Sequence, residues 1–116
     1  MKAHIGPWVN EGKRDISIEL DDYDTWNVDY TLAVIAAPLL RQLRSRSHSY
    51  AIVDPDDVPA DISTDDKYGT MESWHWVMDE MIWAFTSMSE DDDADITERH
   101  KNALRLFGRY YFNLWD

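Results

Sequence analysis

Glu72, His75 and Asp79 stand three and four residues apart in the stretch "MESWHWVMDEMIWAF" at 71–85. On a helix that spacing projects all three side chains from one face, and two carboxylates flanking an imidazole have the composition of a divalent-metal site. Mg²⁺ needs only one or two carboxylates plus phosphate oxygens. One reading is therefore a divalent-metal-dependent all-α hydrolase acting on a nucleotide, with Glu72, His75, Asp79 and Glu80 holding the ion. Asp29 is the single acidic residue the first helix could add. The plainer reading is a solvated, salt-paired helix face with no cofactor.

Known architectures limit the metal reading. Carboxylate-bridged di-metal bundles use two E-x-x-H motifs and further glutamates, and this chain has one such motif. All-α nucleotide pyrophosphohydrolases show E-x-x-E with a later E-x-x-D, a spacing that "DE" at 79–80 and Asp29 do not reproduce. "DDDAD" at 91–95 begins like a calcium loop, yet Ile96 stands where glycine is required and Asn102 where glutamate is required, so a solvated acidic turn fits better. His4, His48, His75 and His100 lack zinc spacing. The chain has no cysteine, hence no thiol nucleophile or disulfide framework. A sponge that stacks a signalling nucleotide on Trp or Tyr would need Arg41, Arg44, Arg105 or Arg109 to converge on one pocket.

The same helix carries a second candidate. At about 100° per residue, Trp74, Val77, Met78, Met81, Ile82, Phe85 and Met88 form one apolar arc. Trp76 and Trp83 fall on the opposite side, among Glu72, His75, Asp79 and Glu80. Either the helix is central and buried on both sides, with the polar tips of the indoles finding partners, or Trp76 and Trp83, with Asp79 and Glu80, are anchors for a protein partner or a second copy.

A formal net charge of −12 argues against a phosphate-tracking nucleic-acid binder and against anionic membranes. It favours solubility, and attraction to basic surfaces or cations. The carboxylates of 54–66 and 90–95 would also suit mimicry of nucleic acid in a basic groove. "LAVIAAPLL" at 32–40 is too short to span a bilayer, and the N-terminus does not read as a signal peptide. The expectation is one domain over 1–116, without membrane contact.

These side chains must be positioned by few elements. Residues 1–13 read as an irregular arm, with Gly6, Pro7 and Gly12, in which Ile5, Trp8 and Val9 dock. "RDISIEL" alternates Ile16, Ile18 and Leu20 with polar residues, as a half-buried strand does. That strand needs a partner: the arm, "YAIV" at 50–53, or the same strand in a second copy. A first helix over 25–44 would bury Val28, Leu32, Ile35, Leu39 and Leu43, and Pro38 should bend it or split it. Arg41, Arg44 and Arg46 suit its C-terminal end. A long acidic loop fills 49–69, a second helix covers about 71–88, and a capping box "DITE" at 95–98 opens a third helix to the C-terminus, burying Ala103, Phe107, Tyr110 and Leu114. The fold expected is mainly α, a three-helix unit with a short N-terminal strand or hairpin that dimerisation would complete.

"DTWNVDYTLAVIAAPLLRQLR", "DPDDVPAD", "WHWVMDEMIWAF" and "RLFGRYYFNLWD" together resemble a family of small uncharacterised proteins of tailed bacteriophages, over most of residues 24–116. The chain departs from that pattern between about Ser87 and Asp95. The resemblance implies no established activity. It implies a phage accessory protein that works in the host cytoplasm without catalysis, by binding a host target or defence component; a homodimer is expected separately, from the strand that lacks a partner and from Trp76 and Trp83.

Overall fold

The computed structural model describes residues 1–116 except for the side chain of Asn10. The N-terminal segment is not an irregular arm. Strand β1 (Lys2–Val9) pairs antiparallel with β2 (Lys13–Glu19), placing Lys2 opposite Glu19, Ala3 opposite Ile18 and Ile5 opposite Ile16. Beyond a shift in register, Trp8 faces Arg14 and Val9 faces Lys13, so Gly6 and Pro7 together oppose Asp15. This β-bulge interrupts the period-2 pattern of β1, which is why that strand looks irregular in sequence. It also returns Trp8 to the face that carries Ile5, Ile16 and Ile18. The chain reverses through Glu11 and Gly12, both in the left-handed region at φ 64° and 71°.

A short 3-10 turn, Asp22–Thr25, follows, closed by reciprocal bonds between Asp21 and Asp24. The terminal ammonium of Met1 lies 2.9 Å from the Asp24 carboxylate. Helix α1 (Val28–Arg46) is unbroken at Pro38. Its buried residues are Ala33, Ala37 and Leu40, with Ala36 and Leu43 packed beside them, whereas Val28, Leu32, Ile35 and Leu39 are exposed. The correction has a steric reason. Alanines at the contact let α1 approach its neighbour closely, and the bulkier aliphatics are turned away.

Helix α2 (Met71–Glu90) is the centre of the fold, packed against α1 on one side and α3 (Glu98–Arg109) on the other. The Thr70 hydroxyl caps it by accepting from the Ser73 N–H at 3.0 Å. Trp74, Val77, Met78, Met81, Ala84 and Phe85 are buried, with Ile82 and Met88 against them, as the apolar arc requires. Helix α3 is capped by Thr97, whose N–H donates to the His100 ring at 3.1 Å, and not by Asp95. It buries Ala103, Leu106 and Tyr110, with Phe107 and Leu114 packed against the core, and gives way to a 3-10 turn at Tyr111–Asn113 before the C-terminus. No helix of the described residues is long and apolar enough to cross a membrane.

The long connection between α1 and α2 threads Ala51 and Val53 into the core, then runs acidic through a 3-10 turn at Pro55–Asp57. No comparable packing holds the hairpin to the helices, and of its residues other than Asn10 only Gly6 is buried. The radius of gyration is 16.1 Å, against roughly 13 Å for a compact chain of this length.

Candidate interaction surface

Glu72, His75 and Asp79 share a helix face, but the structure does not gather them. Among the described residues, the only set of three or more metal-ligating side chains whose donor atoms come within 4.8 Å of one another is Asp91, Asp92 and Asp93, all exposed on the turn after α2. Asp79 is engaged by α1, where Arg44 donates to both of its oxygens at 2.7 and 3.3 Å. That bond holds the Arg44 guanidinium above its ordinary value. His75 meets Tyr50 edge-on at 6.0 Å, and its Nε2 is buried with no hydrogen-bond partner. Burial, aided by the nearby Arg44 cation, depresses His75 below the ordinary imidazole value.

The two tryptophans on this side are not free. Trp76 is half-buried against the core. Trp83 is half-buried with its ring 4.5 Å from that of His100, and the Arg99 guanidinium stacks 3.8 Å from its centroid. Arg99 also pairs with Glu80 at 2.7 Å. Asp79 and Glu80 are thus clamps to α1 and α3, and Trp83 is held rigidly between elements. A shallow groove of about 440 Å³ leaves one edge of Trp83 open, between Arg41, Asp79, Ile82 and Glu90.

A residue the sequence did not mark organises the opposite end. The Asp57 carboxylate is buried, accepts from the Tyr110 hydroxyl at 2.7 Å, and pairs with Arg105 at 3.0 Å and Arg109 at 3.1 Å. The Tyr110 oxygen in turn accepts the Asp54 N–H at 3.0 Å, and Arg109 reaches the Asp54 carboxylate at 3.1 Å. Asp57 raises the Arg109 pKa, while burial and then the bond to Asp57 raise that of Tyr110. Arg105 and Arg109 are therefore spent on Asp57, and Arg44 on Asp79. An open cleft of about 750 Å³ lies alongside, walled by Asp54, Asp65, Asp66 and Arg109. Its carboxylates outnumber its one cation, which opposes a phosphate-bearing ligand.

Exposed apolar side chains are gathered elsewhere. Register places Ala3, Ile5, Trp8, Ile16 and Ile18 on one face of the hairpin, where Arg14 lies 5.4 Å from the Trp8 ring. That face packs on nothing in the chain: Trp8 is 68% and Ile16 58% exposed. Further along the chain Tyr23 and Trp26, the latter 77% exposed, and Val28, Leu32, Ile35 and Leu39 on one stripe of α1 are exposed as well. Exposed side chains of this size, gathered on one hairpin face and on one α1 stripe, exceed the scattered exposed apolar residues normal in monomers.

Charge follows the same division. On the hairpin Lys2, Lys13 and Arg14 balance Glu11, Asp15 and Glu19, and α1 sets Arg41, Arg44 and Arg46 against Asp29 alone. The excess negative charge belongs to the rest of the chain. Comparison with protein-family models, curated proteins and solved structures finds no match to this chain.

Proposed function

We propose that this protein acts without catalysis, by binding another protein through the apolar surface formed by the hairpin and α1, with Trp26 between them. It is an accessory protein of the kind tailed bacteriophages encode, directed at a host target or defence component in the host cytoplasm. The observation that carries the reading is the exposure of Trp8, Trp26, Leu32 and Leu39 on elements that bury nothing of their own against that side. Tryptophans and aliphatics on a preformed surface are the composition of interface anchors. The groove at Trp83, bordered by Asp79 and Glu90, offers a smaller second contact for a partner carrying basic groups. Glu80 is held by Arg99 and does not line it.

A Leu32→Ser, Leu39→Ser double variant tests this reading, because neither side chain supports the core. Capture from host lysate, quantified for the wild type and the variant in parallel, should show a stoichiometric protein lost from the variant while its helical circular dichroism is unchanged. A variant that keeps its fold and every captured protein would sink the reading. Co-sedimentation of the wild type with zwitterionic lipid vesicles that the variant loses would replace a protein partner with a membrane surface.

A further inference from the structure

The hairpin is incomplete as a structure. Two antiparallel strands with nothing on their apolar face are marginal in water, and a third strand or a packed cover is what stabilises them. Its two edges differ. On β1 the bulge at Gly6–Pro7 interrupts the ladder, Pro7 has no N–H to offer, and the Gly6 carbonyl already accepts from Arg14 at 2.7 Å. On β2 the run Lys13–Glu19 is regular and contains no proline. Its outer edge is open to another strand.

We propose that the partner of this edge is β2 of a second copy, paired antiparallel about a two-fold axis through Ile16, giving a four-stranded sheet with β1 strands outermost. The proposal rests on the reading of the hairpin as an interaction surface, and the sequence of β2 fixes the register. Centred on Ile16, the pairing sets Lys13 opposite Glu19 twice, Asp15 opposite Ser17, and Arg14 opposite Ile18. Centred two positions earlier in the pairing, on Asp15, it would set the two Asp15 carboxylates against each other at the axis. Centred on Ser17, it would oppose Asp15 and Glu19 twice. A slip of one residue would turn the two apolar faces to opposite sides of the sheet. Only the Ile16 register matches unlike charges and keeps Ile5, Trp8, Ile16 and Ile18 of both copies on one continuous face.

Electrostatics agrees. A chain of net charge −12 can approach its own copy most cheaply through a segment whose charges cancel, and the hairpin is that segment. The exposed apolar residues of the hairpin face, and the stripe Val28, Leu32, Ile35 and Leu39, are each 42 to 68% exposed. The edge pairing itself leaves that face and stripe open, so the dimer is held by the β2 ladder and its charge pairs. Such an isologous contact closes on itself and leaves no edge for further growth except the bulged β1.

Sedimentation equilibrium on the full chain is the test, with Lys13→Glu and the charge exchange Lys13→Glu, Glu19→Lys. Both residues are exposed, so both variants should keep the helical fold. A dimer is expected for the wild type, about ten- to thirtyfold weaker for Lys13→Glu because both cross-strand pairs become repulsive, and restored by the exchange. Because the chain is free of cysteine, Ile16→Cys should also link to its own copy across the axis under mild oxidation, whereas His4→Cys on β1 should not. A monomer at every concentration would overturn the proposal, yet the protein-binding reading survives that result if Leu32→Ser, Leu39→Ser still loses its partner. A dimer indifferent to Lys13→Glu and unlinked at position 16 would overturn the β2 pairing.

Discussion

The hydroxyl of Tyr110, the residue that closes α3, donates to the buried carboxylate of Asp57 at 2.7 Å across 53 residues of sequence. The same oxygen accepts the Asp54 N–H. One phenol thereby fastens the acidic connection to the helical core. Tyr110→Phe should cost about 1–3 kcal/mol by leaving both groups short of a partner, read as a lower urea midpoint at unchanged slope. The raised Tyr110 pKa adds a sign. The folded state retains the phenolic proton more strongly than the unfolded chain, so this contribution is complete below the ordinary value of 10.0 and is lost as pH rises through the folded value. Tyr110→Phe should flatten that alkaline decline.

His75 gives the opposite dependence. Its pKa is depressed first by burial, so on acidification below the ordinary value of 6.5 the unfolded chain takes up the proton before the folded one. Stability contributed by the neutral ring is present above that value and falls as pH drops toward the folded pKa. His75→Phe removes both the orphaned Nε2 and the titration. Thermal melts should show the variant gaining on the wild type at pH 5.5 relative to pH 7.5; an equal difference at the two pH values would contradict the assignment.

Gly69, immediately before the cap of α2, has φ +67°, and a Cβ there would lie 2.5 Å from the Ala51 carbonyl oxygen and 3.0 Å from that of Tyr50. Strain and collision with backbone combine. Gly69→Ala should lose about 2 kcal/mol or more in chemical denaturation.

Trp76→Ala and Trp83→Ala should each cost about 2–4 kcal/mol, because both indoles are half-buried and Trp83 also loses its Arg99 and His100 contacts. Arg99→Ala should cost less, about 1 kcal/mol, since Arg99 is itself 53% exposed although it gives up both its pair with Glu80 and its stack on Trp83. Urea titrations of the three variants separate the two cases. Loss of a partner in a tryptophan variant must therefore be judged beside its loss of fold.

The sequence made some of this legible and hid the rest for identifiable reasons. The core arc of α2 was readable because its large apolar residues recur at helical spacing and are the ones buried. On α1 the same logic selected Val28, Leu32, Ile35 and Leu39, which face solvent, because the contact with α2 is made by Ala33 and Ala37 and small residues carry little hydrophobic signal. The three-helix layout and the acidic connection followed from pattern and composition. The first strand did not, since one bulge at Gly6–Pro7 shifts its alternation. Thr97 won the cap of α3 over Asp95 through the His100 ring, a partner outside the usual Glu or Gln. Asp57 had no local signature at all: its role comes from Arg105, Arg109 and Tyr110, which only the fold brings near.

The slab-like outline of the chain, 46 × 43 × 19 Å, governs how it behaves in a column. A thin body with a projecting hairpin drags more solvent than a sphere of 13.6 kDa, so a single chain elutes early and mimics a heavier species. Elution volume alone would overstate the mass of one copy, and stoichiometry has to come from mass itself, by light scattering or sedimentation.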